Sequence, residues 1–170
     1  KLEGESRPGH FRGVATVVTI LFNTVRPDRA YFGQKDAQQV AVIKRLTTDL
    51  GFETEIVVVP TIREESGLAM SSRNALLSDD DRKRAAIIID ALREAKLAFK
   101  KGERIAIHLT EMVKERIASE PAAEIDYVAV VDRDSLQSVE KIGDEETLIA
   151  IAVRIGGVRL IDNVILNRKQ

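Results

Sequence analysis

A strand, a helix and a second strand in close succession leave a chain few possible folds, and residues 29–59 read in that order. RAYF at Arg29–Phe32, with two adjacent aromatic residues, reads as a short strand. Gly33, Gln34 and Lys35 then form a tight connection into a helix whose Val40, Ile43, Thr47 and Leu50 line one face, with Gly51 as its stop. Glu55–Val59, EIVVV, is apolar without alternation, the pattern of a strand covered on both faces. Strand, helix and strand in this order predict a right-handed βαβ unit with parallel strands, and so an α/β fold.

The segments on either side extend that reading. Val14, Val17, Val18, Leu21, Phe22 and Val25 share one helical face, and Pro27 closes that helix. After Pro60 the character changes. Ser78–Asp81, SDDD, is a capping box that opens a helix burying Ala85, Ile88, Ile89, Leu92 and Phe99 and ending at Gly102. A further helix over about residues 103–119 carries Ile105, Leu109, Met112, Val113 and Ile117 on its inner face. Strands follow at IDYVAVVD, TLIAIAVRI and VRLIDNVIL, the last two joined by Gly156-Gly157, a strong hairpin signal. The expected organisation is a parallel α/β piece over 1–60 and an α+β piece with helices and an antiparallel sheet over 61–170. Two parallel strands are too few for an independently stable doubly wound sheet, so the chain reads as one whose N-terminal half is missing.

Composition narrows the function classes. With 26 basic and 27 acidic residues the net charge is −1, which supplies no field for nucleic acid or an anionic membrane. Cysteine is absent, which rules out disulfides and thiolate metal sites and fits a reducing compartment. No apolar run reaches the ~18 residues of a membrane span, and no secretory pattern stands at the N-terminus, so a cytoplasmic location is expected.

Two polar stretches occupy α/β connections. Phe32–Gln39, FGQKDAQQ, falls at the carboxyl end of a strand and the start of a helix, where free N–H groups favour anions. Lys35 there can neutralise a phosphate, or it can be a solvated surface cation while Asp36 and Gln39 cap the helix. Ala69–Asn74, AMSSRN, follows Gly67; Ser71 and Ser72 can donate to phosphate oxygens and Arg73 can grip them with two bonds. The bland alternative is a polar loop ahead of a capped helix. His10 and His108 read as structural or surface residues, and two distant histidines support neither a Ser-His-Asp triad nor a His-rich metal site. The acidic run at Asp79–Asp81 reads as capping and not as a metal site. Arg154 and Arg159, beside the Gly-Gly turn, are expected to be solvated.

RPGHFRGVATVV, the Asn23–Gln39 stretch NTVRPDRAYFGQKDAQQ and GLAMSSRNALLS, in that order and spacing, closely resemble the pantothenate synthetase family. The resemblance continues through EIDYVAVVD and the final hairpin, so it covers essentially the whole chain. It implies a Rossmann-like fold of the nucleotidylyl-transferase type: residues 1–60 as the end of the ATP- and pantoate-binding domain, 61–170 as a small C-terminal domain with a KMSKS-like loop. It implies an ATP-dependent ligase that adenylates (R)-pantoate, releases pyrophosphate, and lets β-alanine displace AMP. By motif, Gly33, Gln34, Lys35, Asp36, Ile62, Met70, Ser71, Ser72 and Arg73 would bind ATP. Gln39 would bind pantoate, and Lys35, Ser71, Ser72 and Arg73 would act on the α-phosphate. Mg²⁺ with the ATP and a homodimer are implied in the same way. The family's N-terminal P-T-M-G-x-L-H-x-G-H segment has no match here, so these residues alone are expected to show little or no ligase activity. The rival readings are a structural or associative module, and another nucleotidylyl transferase such as a tRNA-synthetase-like enzyme.

Overall fold

The computed structural model describes residues 2–167, and the chain divides into two compact units, Lys1–Pro60 and Thr61–Gln170. In the first, a short helix α1 (Glu3–Ser6) precedes α2 (His10–Val25), β1 (Arg29–Gly33), α3 (Ala37–Asp49) and β2 (Glu55–Val59). β1 and β2 pair in parallel with Arg29 opposite Glu55 and Gly33 opposite Val59, as the strand-helix-strand order requires. α3 ends in a Schellman motif. Gly51, at φ +65°, donates to Thr48 O at 3.3 Å, and Phe52 N donates to Thr47 O at 3.0 Å.

Several expectations for this unit need correction. α2 begins at His10, and its apolar residues split into two stripes. Val18 and Phe22 are buried against Ile43, with half-buried Val14 beside them, whereas Val17, Leu21 and Val25 are exposed. Leu50 is exposed too, and α3 instead buries Gln38, Val40, Ala41 and Ile43. EIVVV is not covered on both faces among the described residues: its three central residues are half-buried and its ends exposed. Apolar spacing reports which face seeks cover, and only packing partners decide whether it finds any.

The second unit holds α4 (Asp79–Arg84), α5 (Ile87–Lys100), α6 (Ala106–Ala118), β3 (Ala123–Asp132), β4 (Thr147–Ile155) and β5 (Val158–Leu166). The strands form an antiparallel sheet in the order β3-β4-β5. Gly156 and Gly157 both lie at positive φ, 57° and 76°, as a two-residue hairpin turn of the favoured twist demands. Ile149, Ile151, Val153 and Ile155 alternate along β4 and pack with Leu92, Leu109, Val113 and Ile117 from α5 and α6. Ser78 Oγ accepts from Asp81 N at 3.1 Å and donates to Asp81 Oδ2 at 2.7 Å, so Ser78 caps the helix. The helix expected from that cap to Gly102 is broken at Ala85–Ala86 into α4 and α5. Ile105 precedes α6 and is exposed, as is Met112, so neither belongs to the inner face. Arg159 is largely buried and not simply solvated. It and Arg154 both donate to Asp126, at 2.5 and 3.1 Å, where the β3–β4 register shifts between Ile125 and Tyr127.

Candidate functional site

The two polar stretches lie in different units. In the first, the chain leaves β1 at Gly33 and makes one tight helical turn, Gln34–Asp36, before α3. This places Gln34, Lys35 and Asp36 at the carboxyl end of a parallel strand and the start of a helix, where N–H groups lack intrahelical partners. Asp36 occupies the cap position, yet its side chain makes no cap hydrogen bond, so capping does not account for Asp36. Gln39 is half-buried in the first turn of α3. Gly33 has an ordinary extended φ of −74°, and a Cβ built there would meet nothing within 4 Å. Neither backbone conformation nor packing within the described residues therefore requires glycine at this position.

In the second unit, residues 62–70 form a small hairpin. Arg63 pairs antiparallel with Ala69, Met70 N donates to Ile62 O at 2.9 Å, and Glu64 N donates to Leu68 O at 2.9 Å. Gly67 turns the tip at φ +88°, and a Cβ there would stand 2.9 Å from Ile89 Cγ2, so glycine is required on both counts. Ile62 and Met70 close the open end of this hairpin with exposed side chains. Ser71 follows, its Oγ accepting from Arg73 N at 3.2 Å, and a helical turn runs over Ser72–Leu76. Ser72 and Arg73 are exposed and Ser71 is half-buried. Two hydroxyls and one guanidinium thus stand together on a short, folded connection.

Residues outside the sequence-derived set hold that connection in place. Arg63 makes a two-bond ion pair with Asp162 on β5, at 2.6 and 3.1 Å, and donates to Gly67 O at 3.0 Å. Asp162 is 2% exposed in its side chain. Asn74 is buried, and its amide donates to Glu64 Oε1 at 2.7 Å and to Ala69 O at 3.2 Å. Arg82 Nε lies 3.4 Å from Glu64 Oε2. Asn74 sits inside the quoted AMSSRN, but its burial depends on a hairpin ten residues upstream that apolar patterning does not reveal. His108, on α6, is exposed beside Glu103 at 3.0 Å, and His10 begins α2 against Phe11. Among the described residues no group of three or more His, Cys, Asp or Glu could hold a metal ion, and no helix is long and apolar enough to cross a membrane.

This is an α/β chain with an anion-suited helix start in one unit and a hydroxyl-guanidinium connection in the other. The profile of the family described as pantoate-beta-alanine ligase matches residues 1–165. A pantothenate synthetase of Acetivibrio thermocellus is 55% identical over 163 residues, covering 96% of this chain and 58% of the relative. One from Syntrophotalea carbinolica is 54% identical over 160 residues, covering 94% and 56%. The crystal structure of pantothenate synthetase from Thermus thermophilus superposes with a TM-score of 0.88 at 42% identity, over 95% of this chain and 58% of that one. The pantoate-beta-alanine ligase of Francisella tularensis, crystallised with beta-gamma ATP and beta-alanine, gives 0.69 at 36% identity, over 97% and 54%. The chain belongs to the pantoate-β-alanine ligase family. It spans a little over half the length of these relatives.

Proposed function

We propose that this chain supplies the phosphate-handling part of an ATP-dependent ligase that joins (R)-pantoate to β-alanine. The observation that carries the reading is the family match over residues 1–165, which includes both polar connections. The relative crystallised with beta-gamma ATP and beta-alanine supports the same two substrates here. In the proposed reaction a pantoate carboxylate oxygen attacks the α-phosphorus of ATP. An acyl–O–P bond forms, the bond to the β-phosphate breaks, and pyrophosphate leaves with its electron pair. The β-alanine amine then attacks the acyl carbon, AMP departs, and the amine proton passes to solvent as the amide forms.

The side chains have chemistry suited to these steps. Lys35 and Arg73 offset the negative charge that builds on the phosphate oxygens, and the Ser71 and Ser72 hydroxyls donate to them. Gly33, Gln34 and Asp36 line the start of the α3 region, and the absence of any neighbour around a Cβ at Gly33 leaves room for a ligand to approach the backbone. Ile62 and Met70 present exposed apolar surface suited to the adenine side, and Gln39 is assigned to pantoate. Mg²⁺ is proposed to accompany the ATP, supported by the family resemblance.

Arg73→Ala is expected to lower pantoate-dependent exchange of pyrophosphate into ATP by about a hundredfold or more in an active ligase carrying this chain. Exchange at the unmodified rate would remove the assignment. A polypeptide of these 170 residues alone is expected to form pantothenate slowly or not at all. We place the protein in the cytoplasm and propose a homodimer, both supported by the family resemblance. A sedimenting monomer in the active protein would overturn the dimer.

A further inference from the structure

We infer that Asn74 and Glu64 are positioning residues that hold Ser71–Arg73 in the shape that takes a triphosphate. The inference rests on the phosphate role proposed for that segment. Arg73 is exposed, and so is Ser72, so neither has packing to fix it. Asn74, the next residue, is 2% exposed and spends both amide hydrogens on fixed acceptors, one on Glu64 Oε1 at 2.7 Å and one on Ala69 O at 3.2 Å. Ala69 lies on the near arm of the 62–70 hairpin and Glu64 on the far arm. One side chain therefore ties the end of the segment to both arms, while Asn74 N donates to Ser71 O at 3.0 Å and closes the turn from within.

Glu64 is held in its turn. Arg82 approaches its second oxygen at 3.4 Å and also donates to Asn74 O at 3.5 Å, so acceptor and backbone share one cation. The hairpin that carries Glu64 is fixed to β5 by the Arg63–Asp162 pair. The chain of contacts runs from the sheet to the hairpin, from the hairpin to Asn74, and from Asn74 to the serines and Arg73. A partly buried hydrogen bond to a charged acceptor is among the stronger ones a neutral donor makes, and its loss leaves Glu64 Oε1 without the Asn74 donor.

The test is limited trypsin cleavage after Arg73 in an active ligase carrying this chain, with and without ATP. Asn74→Asp keeps the shape but removes both donors, and Glu64→Ala removes the acceptor; each is expected to speed that cleavage about tenfold or more, as losing a hydrogen bond to a charged group implies. Glu64→Gln keeps an oxygen acceptor for Asn74 and is expected to stay within about threefold of the unmodified chain. In the unmodified chain ATP is expected to protect Arg73, and the ATP concentration giving half protection is expected to rise about tenfold in Asn74→Asp. Unchanged nucleotide-free cleavage in Asn74→Asp and Glu64→Ala overturns the inference, as does Glu64→Gln behaving like Glu64→Ala. Should Asn74→Asp unfold the unit, seen as cleavage at every arginine, the contrast between the two Glu64 variants decides. Failure of ATP to protect the unmodified chain would count against the phosphate role, while the nucleotide-free rates still decide the positioning.

Discussion

In residues 61–170, one cluster of buried apolar side chains runs from Leu68 through α5, α6 and all three strands to Leu166; in residues 1–60 the buried cluster is Val18, Phe22 and Ile43. The first unit also leaves Val17, Ile20, Leu21, Val25, Tyr31 and Leu50 exposed. Both units have well-formed elements with recognisable stops, so local sequence specifies each about equally well. They differ in how much apolar surface leaves water, and that term dominates folding free energy. A two-stranded parallel sheet with one open stripe of helix is specified by its sequence but only weakly held by its own burial.

The largest expected difference is in hydrogen exchange. Amides of β4 are expected to exchange at least about a thousandfold more slowly than those of β1 and β2, because opening β4 requires opening the larger core. Equal protection, read by mass spectrometry on the intact chain, would break the comparison.

Ion pairs should divide the same way. Arg63→Ala strands the buried Asp162 carboxylate and is expected to cost about 3–5 kcal/mol in urea unfolding of the second unit. Glu55→Ala breaks the exposed Arg29–Glu55 pair of the first unit and is expected to cost roughly 0–1 kcal/mol.

Truncations sharpen the contrast further. Leu109→Ala, at a fully buried α6 position, is expected to cost about 2–5 kcal/mol. Leu21→Ala, on the exposed stripe of α2, is expected to stay within about 0.5 kcal/mol. A large loss at Leu21 would show that the stripe is already covered in solution.

The smallest effect is electrostatic. In the second unit the Ser135 hydroxyl and N–H both donate to Asp132, at 2.5 and 2.7 Å, and hold its carboxyl below the usual aspartate range. A depressed folded pKa favours the native state above the ordinary aspartate value, and that contribution is lost as pH falls through the folded value. Ser135→Ala should therefore lower Tm near neutral pH and converge with the unmodified chain in acid. A constant offset at every pH would assign the loss to packing.

Much of this architecture is legible in the residues themselves. The Gly51 stop, the Ser78 cap and the Gly156-Gly157 turn each depend on chemistry within a few positions, and the parallel strand pair follows from the strand-helix-strand order. The break at Ala85–Ala86 carries no glycine or proline to announce it. The split of α2 into a buried and an exposed stripe follows from what packs against it, which helical period alone does not encode. The residue types of FGQKDAQQ and AMSSRN suit either phosphate chemistry or a polar surface, and the roles proposed for them rest on the family resemblance. The supports do not show. Asn74 looks like one more polar residue until the hairpin buries it, and nothing near Arg63 in sequence hints at Asp162.

The Arg63–Asp162 pair also sets an order in time. Its partners are 99 residues apart along the chain. At about 5–20 residues per second, a ribosome finishes the arginine roughly 5 to 20 s before it makes the aspartate. Throughout that interval the hairpin bearing Arg63 lacks its anchor, and the connection bearing Ser71–Arg73 waits on β5. The Ser71–Arg73 connection is thus expected to be among the last parts of the second unit to settle, although its residues are made before those of β5.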